Sequence, residues 1–273
     1  MGLDQLCSSD QWSMLSSASD LAKLAAALGA FLITAIALYL KGEVRESVHT
    51  MALFSSAALI LVLSSFVFSL LTGTAVADDG DRREVCATAW TQGTLAIGML
   101  SVGGTALFGG LGWMLAGHAE GRMAAHAGKD HSGYEFLARL GSWLTFAAAM
   151  SSTLMLSETM IDFVHFVVGS PGGWFAGVIA AAAAAVVLLS LFFIVRRSNS
   201  ARMTLQALKV ATVGVVALGV LATWMAMSLP RLPNDWLVDP GPAIVGAVVT
   251  LSFVVPGVIA MAICYSAPRA TSA

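Results

Sequence analysis

The chain has 273 residues, of which 58% are hydrophobic and only 11% are charged, and its mean hydropathy is +0.82. Soluble domains carry roughly a quarter charged residues, so this composition excludes an ordinary soluble domain and indicates a chain whose main solvent is the lipid bilayer. The net charge of -2 offers no basic surface for a nucleic-acid partner.

Seven apolar runs follow one another along the chain, and each is long enough for a spanning helix, which needs about 20 apolar residues to cross about 30 Å of hydrocarbon. They lie at roughly residues 21–40, 50–76, 91–117, 138–168, 173–195, 206–229 and 242–265. The runs are continuous rather than alternating, which argues against the strands of a barrel. The sequence therefore predicts an all-α polytopic membrane protein, with a single transmembrane domain over residues 1–273 that forms a bundle of about seven helices.

Basic residues are divided unevenly between the two sets of loops that seven crossings create. Ten of the 14 lysines and arginines fall on the side of the C-terminus and four on the side of the N-terminus. Because basic residues are enriched in cytoplasmic loops, we expect the N-terminus outside and the C-terminus in the cytoplasm of a multi-pass plasma-membrane protein. Arginine outnumbers lysine ten to four and alanine is abundant, which is typical of a bacterial protein from a GC-rich genome.

Two cysteines fall on the predicted outer side. Cys7 lies in the polar segment before the first helix, and Cys86 lies just before the third. An oxidising compartment lets a disulfide persist, provided that the two Cα atoms approach within about 7 Å. The sequence is compatible with two free thiols as well as with a bridge, and we predict the Cys7–Cys86 disulfide.

The third predicted helix is rich in glycine. Its glycines include Gly93, Gly103, Gly104, Gly109, Gly110, Gly112 and Gly117. Small residues let helix backbones approach closely in lipid, where apolar side chains gain little by leaving the tails. We therefore expect this helix at the centre of the bundle, or at an interface with another membrane protein.

The fourth helix carries the most informative polar pattern. Its polar residues are Ser151, Glu158, Asp162 and His165, which lie within roughly 60° of one another at about 100° per residue. Ionisable side chains in membrane helices point to function, and carboxylates with an imidazole can bind a divalent cation or relay protons. Glu158 lies about 27 Å along the axis from Leu140, so we expect this face to be open to the outside. An ordinary polar rim in contact with water is the alternative.

Several functional signatures are absent from the sequence. It contains no phosphate-binding glycine loop and no HExxH, GxSxG or CxxC motif. A retinal-binding bundle needs a lysine in its last helix, and no lysine lies between Gly241 and Tyr265. Soluble-type nucleotide chemistry and retinal binding are therefore not expected.

Three classes of function remain. The protein would bind, sense or transport a small solute or cation at this face of the fourth helix, with a divalent cation as its candidate cofactor. Alternatively, it would be a membrane-embedded enzyme that uses paired carboxylates for acid catalysis on a lipid or isoprenoid, or a non-catalytic subunit of a membrane complex. We favour the first, because 11 of the 16 acidic residues lie on the predicted outer side, where they would concentrate cations.

Overall fold

The computed structural model describes residue 7 and residues 12–41, 48–74, 82–125, 132–169, 173–196, 201–228 and 241–267. Within these residues, the chain forms seven helices that are long and apolar enough to cross a membrane. They are α1 (Met14–Lys41), α2 (Val48–Thr72), α3 (Arg82–Ala125), α4 (Ser132–Val168), α5 (Trp174–Val195), α6 (Ala201–Ser228) and α7 (Pro242–Ser266). The predicted all-α bundle of seven spanning helices is confirmed.

Four helices, α1, α3, α4 and α6, begin five or more residues before the apolar runs that predicted them. α1 begins at Met14 rather than near residue 21, and the backbone N–H of Ser16 donates to the Ser13 hydroxyl at 3.4 Å, which caps the first turn. α3 has 44 residues, because polar residues continue the helix past both ends of its apolar run. Hydropathy marks only the part of a helix that lies in hydrocarbon, so such polar extensions escape it.

α3 lies at the centre of the bundle, as its glycines predicted. It packs against α1, α2, α4, α6 and α7, and 83% of an 18-residue apolar stretch of α3 is buried, compared with 22% in α1 and 17% in α5. α3 and α4 approach each other closely, since a Cβ at Gly141 would lie 2.8 Å from the Gly112 Cα. Other helices of the chain contact Gly93, Gly103, Gly109, Gly110 and Gly112, whereas a Cβ at Gly104 or Gly117 would meet nothing within 4 Å.

Serine hydroxyls tie the N-terminal helix to the centre of the bundle. Ser65 of α2 donates to the Ala22 carbonyl of α1 at 2.9 Å, and Ser64 donates to the Ala96 carbonyl of α3 at 2.9 Å. Hydroxyl groups within lipid find partners on neighbouring helices because no water is available there. α2 thus holds α1 in a fixed position beside α3.

α7 contains a π-helical turn, Thr250–Val254, just before Pro256. Proline lacks an N–H group and removes one hydrogen bond of a regular helix, and single π turns accommodate such breaks. The turn faces Gly98 of α3, where a Cβ would lie 3.0 Å from the Ser252 Cα. α7 and α3 therefore pack backbone to backbone at this point.

Candidate binding site between α1 and α4

A cavity of about 940 Å³ opens between the start of α1 and the second half of α4. Glu158, Asp162 and His165 all line it; Glu158 and His165 are exposed, and Asp162 is half-buried. Ser151 is exposed on α4 but does not line this cavity, because it lies about 10 Å from Glu158 along the helix axis. The structure therefore brings together the three ionisable members of the predicted face and leaves the serine apart.

The opposite wall of this cavity consists of Trp12, which lies just before α1, and of Ser17 and Leu21 in the first turns of α1. A disulfide between Cys7 and Cys86 attaches the segment before α1 to α3, and the two Cα atoms are 5.2 Å apart. The predicted disulfide is confirmed. Since disulfides persist in oxidising compartments, the bond also agrees with our expectation that this end of the bundle lies outside the cytoplasm.

An aromatic cluster fixes the same wall. Trp90 of α3 is fully buried and donates its indole N–H to the Cys7 carbonyl at 3.0 Å. The Trp12 ring meets the Trp90 ring edge to face with centroids 5.7 Å apart, and Phe166 of α4 stacks on Trp90 at 5.8 Å. Aromatic pairs at these separations attract each other beyond simple burial. Trp90 therefore joins the N-terminal segment, α3 and α4 beside the cavity.

Sequence reasoning missed the three aromatic residues. For Trp90 a signal existed: it follows Cys86 by four residues, and positions four apart lie on nearly the same face of a helix. A disulfide from Cys86 to the N-terminal segment thus predicts that Trp90 also faces that segment. For Trp12 and Phe166 there was no comparable signal, because their places depend on how α1 and α4 pack.

The ionisable residues of the cavity do not converge as metal ligands. Within the described residues, no group of three or more His, Cys, Asp or Glu side chains is placed to hold a metal ion. Metal ions in proteins need several ligand atoms directed at one point. The arrangement of Glu158, Asp162 and His165 therefore gives no support to the expected divalent cation.

No protein-family model, curated protein or solved structure matches this chain. The residues of the cavity must therefore indicate its function. Glu158 and Asp162 supply carboxylates, which accept strong hydrogen bonds from cationic donors when ionised. Trp12 and Phe166 supply aromatic rings in the same cavity, and such rings attract ammonium groups. Its volume of about 940 Å³ lies within the roughly 300–1,000 Å³ of small-molecule sites.

Proposed function

We propose that this protein binds a small organic cation from outside the cell, at the cavity between α1 and α4, as a step in sensing or transporting that solute across the plasma membrane. The observation that carries the proposal is the shared cavity, in which Glu158 and Asp162 lie with Trp12 and Phe166. The carboxylates neutralise the positive charge, and the aromatic rings contact the apolar part of the same ligand.

The charge distribution of the sequence supports this choice of ligand. The predicted outer side holds 11 acidic and four basic residues, whereas the predicted inner side holds five acidic and ten basic residues. A face with an excess of one sign of charge raises the local concentration of ions of the opposite sign. Cations would therefore collect at the face onto which the cavity opens.

The cavity suits a substituted ammonium ion better than a compact metal ion. A substituted ammonium is larger, needs no convergent ligand set, and gains from contact with aromatic faces as well as from carboxylates. Apolar walls at Leu21 and Met155 would cover its alkyl groups. We therefore take butyltrimethylammonium as the first probe, since it combines a permanent positive charge with a short apolar chain.

The test is calorimetric titration of the purified protein with butyltrimethylammonium. Glu158→Gln and Asp162→Asn keep the shape of each side chain and remove its charge, and we expect each to weaken binding about tenfold, because the Coulomb attraction between the carboxylate and the quaternary ammonium is lost. Trp12→Leu should weaken binding by a smaller factor, because it removes the ring and keeps an apolar surface.

Asp20→Asn is the matched control. Asp20 also lies on the first turns of α1, but it is highly exposed, pairs with Lys23 at 3.0 Å and does not line the cavity. Its loss should leave the affinity nearly unchanged. If Glu158→Gln and Asp162→Asn bind the probe as tightly as Asp20→Asn does, the carboxylates of the cavity do not form the site.

A further inference from the structure

A second cavity, of about 440 Å³, opens between α2, α3 and α6. Three polar residues of α3 line it at intervals of four: Glu84, Thr88 and Gln92. At this spacing they lie within about 80° of one another and extend about 12 Å along the helix axis. Leu70 of α2 and Met227 of α6 line the same cavity. The site is thus a polar stripe facing apolar walls.

This stripe lies on the opposite face of α3 from the disulfide. Thr88 is two residues from both Cys86 and Trp90, which is about 200° around the helix. The residues that line the two cavities are entirely different. A ligand of the second cavity would therefore meet none of the side chains assigned to the first.

Thr88 departs from a pattern that the other threonines of α3 follow. Thr91 donates to the Ala87 carbonyl and Thr94 donates to the Trp90 carbonyl, each four residues back and each at 2.7 Å. Thr88 is only 9% exposed, yet its hydroxyl has no hydrogen-bond partner among the residues that the structure describes. The Thr88 oxygen is not among the fully buried polar atoms that lack a partner, so it is open to the cavity that Thr88 lines, where it is available for a hydrogen bond to a ligand.

The groups on either side of Thr88 are also available. Glu84 lies in the first turn of α3, where the helix dipole favours an acid, and it has no ion-pair partner in the described part of the chain. Gln92 is buried and donates its amide N–H to the Ala226 carbonyl of α6 at 2.8 Å. This bond fixes the amide and leaves its oxygen as an acceptor. All three residues can therefore accept hydrogen bonds from a ligand.

We propose that this second cavity binds a primary ammonium group. The ammonium donates N–H bonds to the Glu84 carboxylate and the Thr88 hydroxyl, which are one helical turn apart, while the rest of the ligand packs against Leu70 and Met227. A primary ammonium has three N–H donors and no acceptor, which matches a wall made of acceptors. A quaternary ammonium has no N–H donor, so this cavity should reject it.

Such an ammonium has two sources at a membrane surface. It can belong to a soluble amine, or to the ethanolamine headgroup of a lipid that enters between the helices. Both present the same chemistry to Glu84 and Thr88. Butylamine in detergent tests the soluble source, and nanodiscs of phosphatidylethanolamine compared with nanodiscs of phosphatidylcholine test the lipid source.

The experiment uses the Glu158→Gln/Asp162→Asn double variant as its background, so that binding at the first cavity does not contribute. We expect butylamine to raise the melting temperature of this protein by mass action, and butyltrimethylammonium to bind about tenfold more weakly or not at all. Adding Glu84→Gln or Thr88→Val should weaken butylamine binding about tenfold. Thr91→Val is the matched control, because the Thr91 hydroxyl is satisfied within the helix, and it should bind like the background.

The results with butylamine and with the nanodiscs together show whether the second cavity binds an ammonium group. If butylamine has no effect but phosphatidylethanolamine nanodiscs raise the melting temperature in a way that Thr88→Val abolishes, the ammonium comes from lipid and the proposal holds. If neither source stabilises the background, or if Glu84→Gln and Thr88→Val behave like Thr91→Val, the proposal is overturned. If butylamine stabilises the wild type but not the Glu158→Gln/Asp162→Asn double variant, the amine binds at the first cavity, and the proposal is again overturned.

Discussion

The two cavities are built in different ways around the same helix. The wall of the first depends on a segment outside the helix bundle, which the Cys7–Cys86 disulfide and the Trp90 indole attach to one face of α3. The wall of the second is the opposite face of α3 itself, held against α6 by the Gln92 amide. A covalent bond therefore holds one wall of the first cavity in place, whereas the second cavity depends on helix packing alone. Breaking the disulfide should affect ligand binding at the first cavity and leave binding at the second unchanged.

Breaking the disulfide should change ligand affinity at the first cavity but not at the second, and this is the largest effect that we expect. Cys7→Ser frees the segment that positions Trp12, so we expect the affinity of the first cavity for butyltrimethylammonium to fall about tenfold. Butylamine binding at the second cavity should be unchanged. Thermal and denaturant unfolding should also show a loss of about 2–4 kcal/mol, the typical contribution of a disulfide.

Two independent routes should reproduce this result. Cys86→Ser removes the other half of the same bond, and dithiothreitol removes it from the wild-type protein without any substitution. Cys264, the third cysteine, is buried and takes no part in a disulfide. An equal loss of affinity at both cavities would mean that the disulfide supports the whole bundle rather than the wall of the first site.

The smallest effect that we expect is a difference in unfolding free energy between variants of Thr88 and Thr91 on α3, measured without any ligand. Thr91→Val removes a satisfied buried hydroxyl, so we expect unfolding free energy to fall by about 1 kcal/mol. Thr88→Val removes a hydroxyl that has no partner in the described structure, so stability should stay the same or rise by up to about 1 kcal/mol. Denaturant unfolding in one detergent would compare them. Equal losses would show that Thr88 is already satisfied in the ligand-free protein.

The sequence was sufficient for the helices and for the central place of α3, but it left the disulfide open, because it does not give the distance between the Cα atoms of Cys7 and Cys86. Continuous apolar runs follow from the thickness of the bilayer, and glycines follow from the need for close backbone contact. Helix ends were less accurate, since Ser13 and Arg82 extend α1 and α3 through polar sequence. Such ends depend on capping and on neighbouring chain segments rather than on hydropathy.

The two cavities differ in how much the sequence could predict. Glu158, Asp162 and His165 share one helix and one face, so their spacing alone placed them together. Glu84, Thr88 and Gln92 also share a face, but they contain a single charge and lie on a helix dominated by glycine and apolar residues. Their importance appears only when α2 and α6 form the other walls and the Thr88 hydroxyl is seen to lack a partner.

The most direct test of the central claim is thiol labelling of an Ile161→Cys variant in intact cells with a membrane-impermeant maleimide. Ile161 is half-buried in the wall of the first cavity, and the substitution leaves both carboxylates in place. The wild type is the control, because Cys7 and Cys86 are bonded and Cys264 is buried. We expect labelling from outside that saturating butyltrimethylammonium slows severalfold. Labelling only after the membrane is opened, or labelling that the ligand does not affect, would contradict an outward-facing cation site.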